Sequence, residues 1–532
     1  MKKISKVQFI KLNKSQKKLF KQNYQIKEEK MELSNEQMYV FNKFKKGENL
    51  FVSGQAGTGK THLIKYMINY MKEQNIKHHV CAMTGTAALL LSNETTTLHS
   101  WAGIGICNGE RHKIINSALK KRKKVLNWLF PRVLIIDEVS MMSLKVFEIV
   151  ENLARKTRKT EIPFGNIQVL FTGDFYQLPP VETFGEPDTK KFCFESLVWK
   201  KVFKMENHIE LENIFRQLDP VYKSILSEIR TGQISEKNIV ILEKCKNRVK
   251  ENKTPTKIFP IRTKVDFVNK NEFKKILEKE FVFECVVKTD CKIYIENNMP
   301  IPKEYLINYE MLSNEEQNYE LQQFVTNSNM QTIVRLKKGA LVMCTANIDL
   351  EQGICNGSQG VVVDILEETE IPVVQFYNVE KPKMIVPFYR QHDEYPNLAI
   401  GQIPLMLAWA ITIHKTQGAT LDMAEIDVGS SVFEYGQTYV ALSRIKTLEG
   451  LYIDNFDPSK IKSNKKVSDF YGTFQKTFIL PPPSPPPLAS PPSSPPSSPP
   501  FVKKVNFTQF AYHHNEKPTS PNKDETKKIV FL

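Results

Sequence analysis

The run Gly54-Gln-Ala-Gly-Thr-Gly59-Lys60-Thr61 carries residue types able to hold a chain of phosphates. The spacing G-x-x-x-x-G-K-[ST] lets backbone N–H groups wrap the anion, and Gly54, Gly57 and Gly59 leave room for its approach. The Lys60 ammonium then binds and polarises the outer phosphates, and the Thr61 hydroxyl is a ligand for Mg2+. At average residue usage such a pattern arises by chance in about 2% of chains this long. A glycine turn with no ligand is therefore the weaker reading.

A second set of residues completes that chemistry. Val133-Leu-Ile-Ile-Asp137-Glu138 delivers two acids at the end of an apolar run, 77 residues beyond Lys60. Asp137 is placed to hold the metal, and Glu138 to polarise a water as general base. Gly173-Asp174-Phe-Tyr-Gln177-Leu-Pro-Pro180 offers an amide, Gln177, as a sensor of the γ-phosphate; a Pro-terminated surface loop is the competing reading. Phosphoryl transfer also needs fixed cations, for which the planar guanidinium is suited. Only 12 arginines are present. Arg216, in Asn213-Ile-Phe-Arg-Gln217, and Arg444, in Val440-Ala-Leu-Ser-Arg444, have the most pointed settings; Arg230 and Arg262 are less distinctive.

These groups need a scaffold that brings loop ends together. Apolar runs at 50–53, 80–83, 133–136 and 167–172, separated by helical stretches, predict a buried parallel sheet. The fold class is α/β. Between about 341 and 388 short apolar runs alternate with turns, the texture of a small antiparallel barrel. The longest uncharged stretch, 395–414, contains Pro396, Asn397, Gln402 and Pro404 and reads as a buried strand or helix, so no membrane partner is expected.

In this order the motifs resemble those of the PIF-type (petite integration frequency) DNA helicases, of the RecD-like 5′→3′ branch of helicase superfamily I. Leu33-Ser-Asn-Glu-Gln37 resembles the adenine-reading Q motif, with Gln37 as its amide. Residues 54–61 resemble motif I, and Met83-Thr-Gly-Thr-Ala-Ala88 motif Ia. Residues 97–105 resemble a strand-contacting motif, 136–142 motif II and 173–180 motif III. Phe215-Arg216-Gln217 resembles motif IV, 408–418 motif V and 439–444 motif VI. The resemblance implies two RecA-like motor domains with parallel sheets and ATP between them, Arg216 and Arg444 reaching across. It implies single-stranded DNA, with fork or duplex DNA beyond it, touched by Thr84, Thr86, His99, Trp101, His414, Thr416 and Gln417. It implies an inserted SH3-like β-barrel, a monomeric motor and a role in replication, repair, recombination or telomere maintenance. His99 and His414 taken alone would read as buried histidines; their motif settings assign them to the strand. Stacking and core roles both stay open for Trp101, and Trp409 reads as core. Met83 replaces the usual proline of motif Ia, and the wedge segment at 104–128 is short and lysine-rich.

The expected boundaries are a basic arm at 1–30, a first motor domain at 31–210, a second at 211–275 with 395–470, an insertion at 276–394, and a disordered linker and tail at 471–532. Net charge is +16, but residues 1–30, with ten Lys and two Glu, hold +8 of it, so charge alone says little about the core. Twelve of the residues 481–500 are proline, which favours polyproline II and offers a site for a protein partner or a passive spacer. Eight scattered cysteines form no C-x-x-C pair, consistent with reduced thiols inside a cell, whether nucleus, mitochondrion or viral replication site. Two other functions compete: a motor of the same family acting on RNA or hybrids, and a scaffold with a vestigial ATPase acting through the Pro/Ser tail.

Overall fold

Strands that run apolar from end to end can be stable only with both faces covered, and a parallel sheet between helices supplies that cover. In the computed structural model a six-stranded sheet is made of β1 (Leu50–Gly54), β2 (His78–Ala82), β3 (Thr96–Thr97), β4 (Val133–Asp137), β5 (Gln168–Thr172) and β6 (His208–Leu211), with such strands, β4, β5 and β1, forming its middle. All pair in parallel, in the order β3-β2-β4-β5-β1-β6. β1 is buried at all five positions between β5 and β6. Its carboxyl end opens into the glycine-rich turn, the place where ligands sit in open α/β sheets. The described residues are 32–474, apart from 92–94, 247, 249–254, 292–311, 328–329, 350–351, 355, 378, 393–394 and 396. The basic arm at 1–30 and the Pro/Ser stretch lie outside them.

The chain then forms β7 (Thr256–Phe259) and enters an antiparallel region. There β8 (Phe281–Glu284) pairs with β10 (Ile333–Leu336), and β9 (Val286–Lys288) with β16 (Ala399–Gln402), which also takes β15 (Phe388–Gln391). A five-stranded sheet is made by β11 (Leu341–Cys344), β12 (Gln359–Ile365), β13 (Pro372–Phe376), β14 (Lys383–Met384) and β17 (Leu405–Leu407), in the order β14-β13-β12-β11-β17. It has a core of its own around Val342, Val362, Val374 and Phe376. The chain returns through β18 (Ala410–Thr412), β19 (Ala424–Val428) and β20 (Leu451–Phe456). These pair in parallel with β7 as β18-β7-β19-β20, a second parallel sheet. The uncharged stretch 395–414 thus holds three short strands. No described helix is long and apolar enough to cross a membrane.

Segment 104–128 supplies the helix Arg111–Lys120 and most of the helix Arg122–Leu129, whose Ile115, Ala118 and Trp128 share a core with the helix Leu144–Arg158. Two boundaries need correction. The insertion, expected to end at 394, runs on to 407, because β16 and β17 pair within its antiparallel sheets and not with the second parallel sheet. Disorder was expected from 471, but the helix Lys465–Tyr471 and the turn after it dock on the first sheet's lobe. Phe470 stacks on Phe194 with ring centroids 4.2 Å apart, and Phe474 lies 6.1 Å from Phe51.

Candidate functional site

The turn after β1 is shaped by its glycines. Gly57 and Gly59 hold φ of +90° and +82°, which a side chain adopts only with strain. A Cβ on Gly57 would lie 2.6 Å from the Arg216 Cβ, and one on Gly59 2.5 Å from the Gln37 amide nitrogen. Gly59 caps the helix Lys60–Glu73 with no side-chain hydrogen bond, so that helix's first N–H groups carry no side-chain cap and face the turn. The Lys60 ammonium donates to Gly54 O at 2.7 Å and Gln55 O at 3.0 Å. Burial lowers its pKa against the pull of Asp174, Glu138 and Asp137.

β4 ends in Asp137, whose Oδ1 accepts from the Thr172 hydroxyl of β5 and from the Glu138 N–H at 2.9 Å. Burial raises the Asp137 pKa. Glu138 sits at φ +58°, a left-handed conformation that costs a residue with a side chain about 1–2 kcal/mol. That turn swings its carboxylate out of the strand direction toward the cleft. Burial, then Asp137, push the Glu138 carboxyl up to about 6, opposed by Lys60 and Arg444. A carboxylate near that value is matched to proton transfer at neutral pH.

Two cations close the site from the other side. Arg444 is 2% exposed; its Nε donates to Val440 O at 2.9 Å and its Nη2 to Ser443 Oγ at 2.9 Å. Burial, then the neighbouring Arg216, pull its guanidinium down to about 9, while Glu138 works in the opposite direction. Arg216 donates to Ser443 O at 3.1 Å, and the Phe215 N–H beside it donates to Gly57 O at 2.8 Å. Among the described residues no carboxylate bonds either guanidinium. The buried Arg444 and the half-buried Arg216, with a lysine and a ring of backbone N–H groups opposite them, form a receptor for a polyanion.

Residues 32–239 match the family model of the PIF1-like helicases, and 322–365 that of the DNA helicase Pif1 2B domain. The ATP-dependent DNA helicase PIF1 of Danio rerio is 35% identical over 455 residues, 84% of this chain and 65% of the relative. The crystal structure of Pif1 helicase from Candida albicans superposes with a TM-score of 0.69 at 31% identity, covering 84% of this chain and 100% of that one. The chain belongs to the PIF1-like helicase family. A Bacteroides Pif1 bound to ssDNA is also similar, with a TM-score of 0.58 and 28% identity over 83% of this chain and 96% of that one. The chain spans about 65% of the length of the PIF1 relatives of Danio rerio and Xenopus laevis.

Three residues read from the PIF1-like motifs sit differently from expectation, and a fourth, Trp101, takes the core reading of the two left open. Trp101 is 4% exposed, stacked on His79 at 5.0 Å and packed on Trp128 at 4.5 Å. It is a core residue with no face left for a base. Thr416 is fully buried and its hydroxyl donates to Ile413 O at 2.7 Å, closing a turn. Gln417 is 1% exposed and donates to Glu138 Oε2 at 3.1 Å, so it faces the acid pair and not a strand. Gln37 has both ends of its amide on backbone: Oε1 accepts from Ser34 N at 3.0 Å, and Nε2 donates to Gly59 O at 3.3 Å and Thr58 O at 3.4 Å. It braces the glycine turn, with no amide edge turned to a base.

Thr61 and the remaining strand-contact candidates keep accessible surface. Thr84 and Thr86 are half-buried with hydroxyl oxygens 3.1 Å apart, and Thr84 Oγ1 accepts from Ala87 N. His99 follows β3, which pairs with the end of β2 ahead of Thr84, so the two motifs leave adjacent strand ends. Burial lowers the pKa of His99 and of His414 and keeps both rings neutral. Thr61 is half-buried at the start of its helix. Gln177 is buried, and its Oε1 has no hydrogen-bond partner among the described residues.

Several members of the PIF1-like site were not singled out from sequence. Tyr439 receives the Ala56 N–H of the glycine turn at 2.8 Å. Arg230 forks onto Asp174 of motif III at 3.0–3.2 Å and reaches Glu210 at 2.7 Å, with Tyr176 at 4.7 Å and Tyr471 at 5.3 Å from its guanidinium. The buried spacing Tyr222, Ile225, Leu226, Ile229 in the helix Pro220–Thr231 was the available signal that Arg230 borders the core.

Proposed function

We propose that this chain is an ATP-dependent 5′→3′ DNA helicase that moves along single-stranded DNA and unwinds duplex ahead of it. The observation that carries this is the convergence of Lys60, Asp137 and Glu138 with Arg216 and Arg444, whose guanidinium groups lack carboxylate partners among the described residues. The PIF1 relatives named as ATP-dependent DNA helicases, and the Bacteroides Pif1 bound to ssDNA, support the substrate assignment. Genome maintenance in replication, repair, recombination or at telomeres follows as the cellular role.

In this reading the glycine turn and Lys60 bind the β- and γ-phosphates. Glu138 accepts the proton of the attacking water, and Gln177 reports the state of the γ-phosphate. Arg216 and Arg444 meet the charge that develops on the transferring oxygens. Thr61 and Asp137 are the residues to hold Mg2+. A donor set of one hydroxyl and one carboxylate suits an ion that keeps most of its ligands as water and substrate oxygen, and no larger His, Cys, Asp or Glu cluster occurs among the described residues. Bound there, Mg2+ supplies charge neutralisation and orientation of the phosphates. Thr84, Thr86, His99 and His414 contact the strand. Closure of the cleft around ATP and its release after hydrolysis alternate the grip of the two sheets on DNA.

The test is ATP turnover by the full chain with and without a single-stranded oligonucleotide. Turnover stimulated strongly by DNA supports the assignment. Turnover indifferent to DNA, or stimulated better by RNA, removes the DNA helicase reading and leaves a nucleotide hydrolase.

A further inference from the structure

The turn Ile413–Thr416 has two faces. Thr412 and His414 are half-exposed and Lys415 is exposed, whereas Ile413, Thr416 and Gln417 are buried. The turn is tightly closed: Lys415 N donates to Thr412 Oγ1, Thr416 Oγ1 to Ile413 O, Gln417 N to His414 O and Ala419 N to Thr416 O. A push on its outer face therefore moves Gln417 with it. Gln417 crosses the cleft and donates its amide to Glu138 Oε2 at 3.1 Å, 279 residues away in sequence. Its own Oε1 is buried with no hydrogen-bond partner among the described residues. The next residue, Gly418, has φ +80°, and a Cβ there would lie 2.7 Å from the Leu90 side chain. Leu90 belongs to the helix Gly85–Leu91, which also carries Thr86. Residues 417 and 418 are thus held between the acid pair and a helix of the strand-contacting set.

We propose that Gln417 is a positioning residue that ties the orientation of the Glu138 carboxylate to occupancy of the 413–416 turn by single-stranded DNA, so that the strand sets the rate of ATP hydrolysis through this amide. The inference rests on the reading of Glu138 as general base and of His414 as a strand contact. The chemistry is simple. A carboxylate has two oxygens, and a neutral amide on Oε2 fixes the plane of the group while leaving Oε1 to accept the proton of water. Asp137, Lys60 and Arg444 also bear on Glu138 through their charges, but they come from the nucleotide-binding loops and from motif VI. Gln417 joins Glu138 to the turn whose other face is open to solvent.

The experiment compares wild type with Gln417→Met, which keeps side-chain length and packing but removes the donor, and Gln417→Asn, which keeps the amide one methylene short. ATP turnover is measured with no DNA and with saturating oligo-dT, and oligo-dT affinity is measured separately by fluorescence anisotropy. The expected result for Gln417→Met is a fall of about tenfold in the ratio of stimulated to unstimulated turnover, the scale of coupling changes along such networks. KM for ATP and oligo-dT affinity should stay within about twofold, because Gln417 is buried behind the turn and its amide is bonded to Glu138. Gln417→Asn should fall between Met and wild type. An unchanged ratio overturns the proposal. So does equal loss of both rates, or weakened oligo-dT binding with wild-type turnover at saturation, which would make Gln417 a strand contact. Lys60→Ala in the same series separates this failure from a deeper one: if it turns over like wild type, the nucleotide site itself is misassigned and the role of Gln417 falls with it.

Discussion

Arg230→Met tests how the two lobes are joined. Arg230 comes from the helix Pro220–Thr231 and its partner Asp174 from the loop after β5, and the two side chains are 7% and 0% exposed. Three N–H···O contacts of 3.0–3.2 Å bind them, and a fourth of 2.7 Å reaches Glu210. Removing the cation strands a carboxylate that has almost no access to water. Breaking one side of a buried ion pair costs about 3–5 kcal/mol, far more than the pair itself contributes relative to an apolar replacement. For a lobe of roughly 200 residues each kcal/mol moves the midpoint by about 2–4 °C, so a fall of roughly 10 °C is expected. The assay is thermal unfolding followed by tryptophan fluorescence, with Asp174→Asn and the double variant completing a cycle. The double variant should recover part of the loss, since its neutral amide can be buried at lower cost. A shift below about 2 °C in Arg230→Met, or strictly additive losses in the double variant, would refute the claim that this pair is a dry ionic lock.

Three further outcomes follow from the same geometry. Arg444→Ala should lower kcat on the order of a hundredfold or more while KM for ATP changes little, since its charge is needed on the transferring oxygens; a change confined to KM contradicts that role. Trp101→Ala should destabilise by about 3–5 kcal/mol, yet at temperatures where it is folded it should bind oligo-dT as wild type does; selective loss of oligo-dT affinity would restore a stacking role. His79 is half-buried against Trp101 and its pKa is lowered to about 4 from 6.5, chiefly by loss of hydration. The unfolded chain therefore takes up the proton first, so this contribution is intact above about pH 6.5 and is lost as pH falls toward 4, by at most about 3 kcal/mol. Urea midpoints of wild type and His79→Gln should converge over that window, and parallel curves would contradict the assignment.

What was legible in the sequence was what is local. The runs at 50–53, 80–83, 133–136 and 167–172 became β1, β2, β4 and β5 because a fully buried strand writes its burial into every residue. The glycine turn and the acids after β4 were legible for a related reason: strand, turn and helix are contiguous, so local spacing places Lys60 just past the carboxyl end of β1 and Asp137 at that of β4, the two strands that flank β5. β3 and β6, with two and four residues, left too short a pattern to see. Contacts across hundreds of residues were illegible. Gln417 reaches Glu138 across 279 positions, and Tyr471 reaches Ser53 across 418. Nothing near either residue announces the partner. The same holds for Trp101, whose place between His79 and Trp128 is fixed by how the helices Leu98–Ala102 and Arg122–Leu129 pack and not by its own motif.

The most direct test of the central claim is duplex unwinding by wild type and Lys60→Ala, with ATP and Mg2+, on substrates bearing a 5′ or a 3′ single-stranded overhang. Wild type should separate the strands from the 5′ overhang alone, and Lys60→Ala should separate neither substrate. Unwinding from the 3′ overhang would contradict the direction of travel. Separation by Lys60→Ala at the wild-type rate would contradict the assignment of the cleft as the motor site.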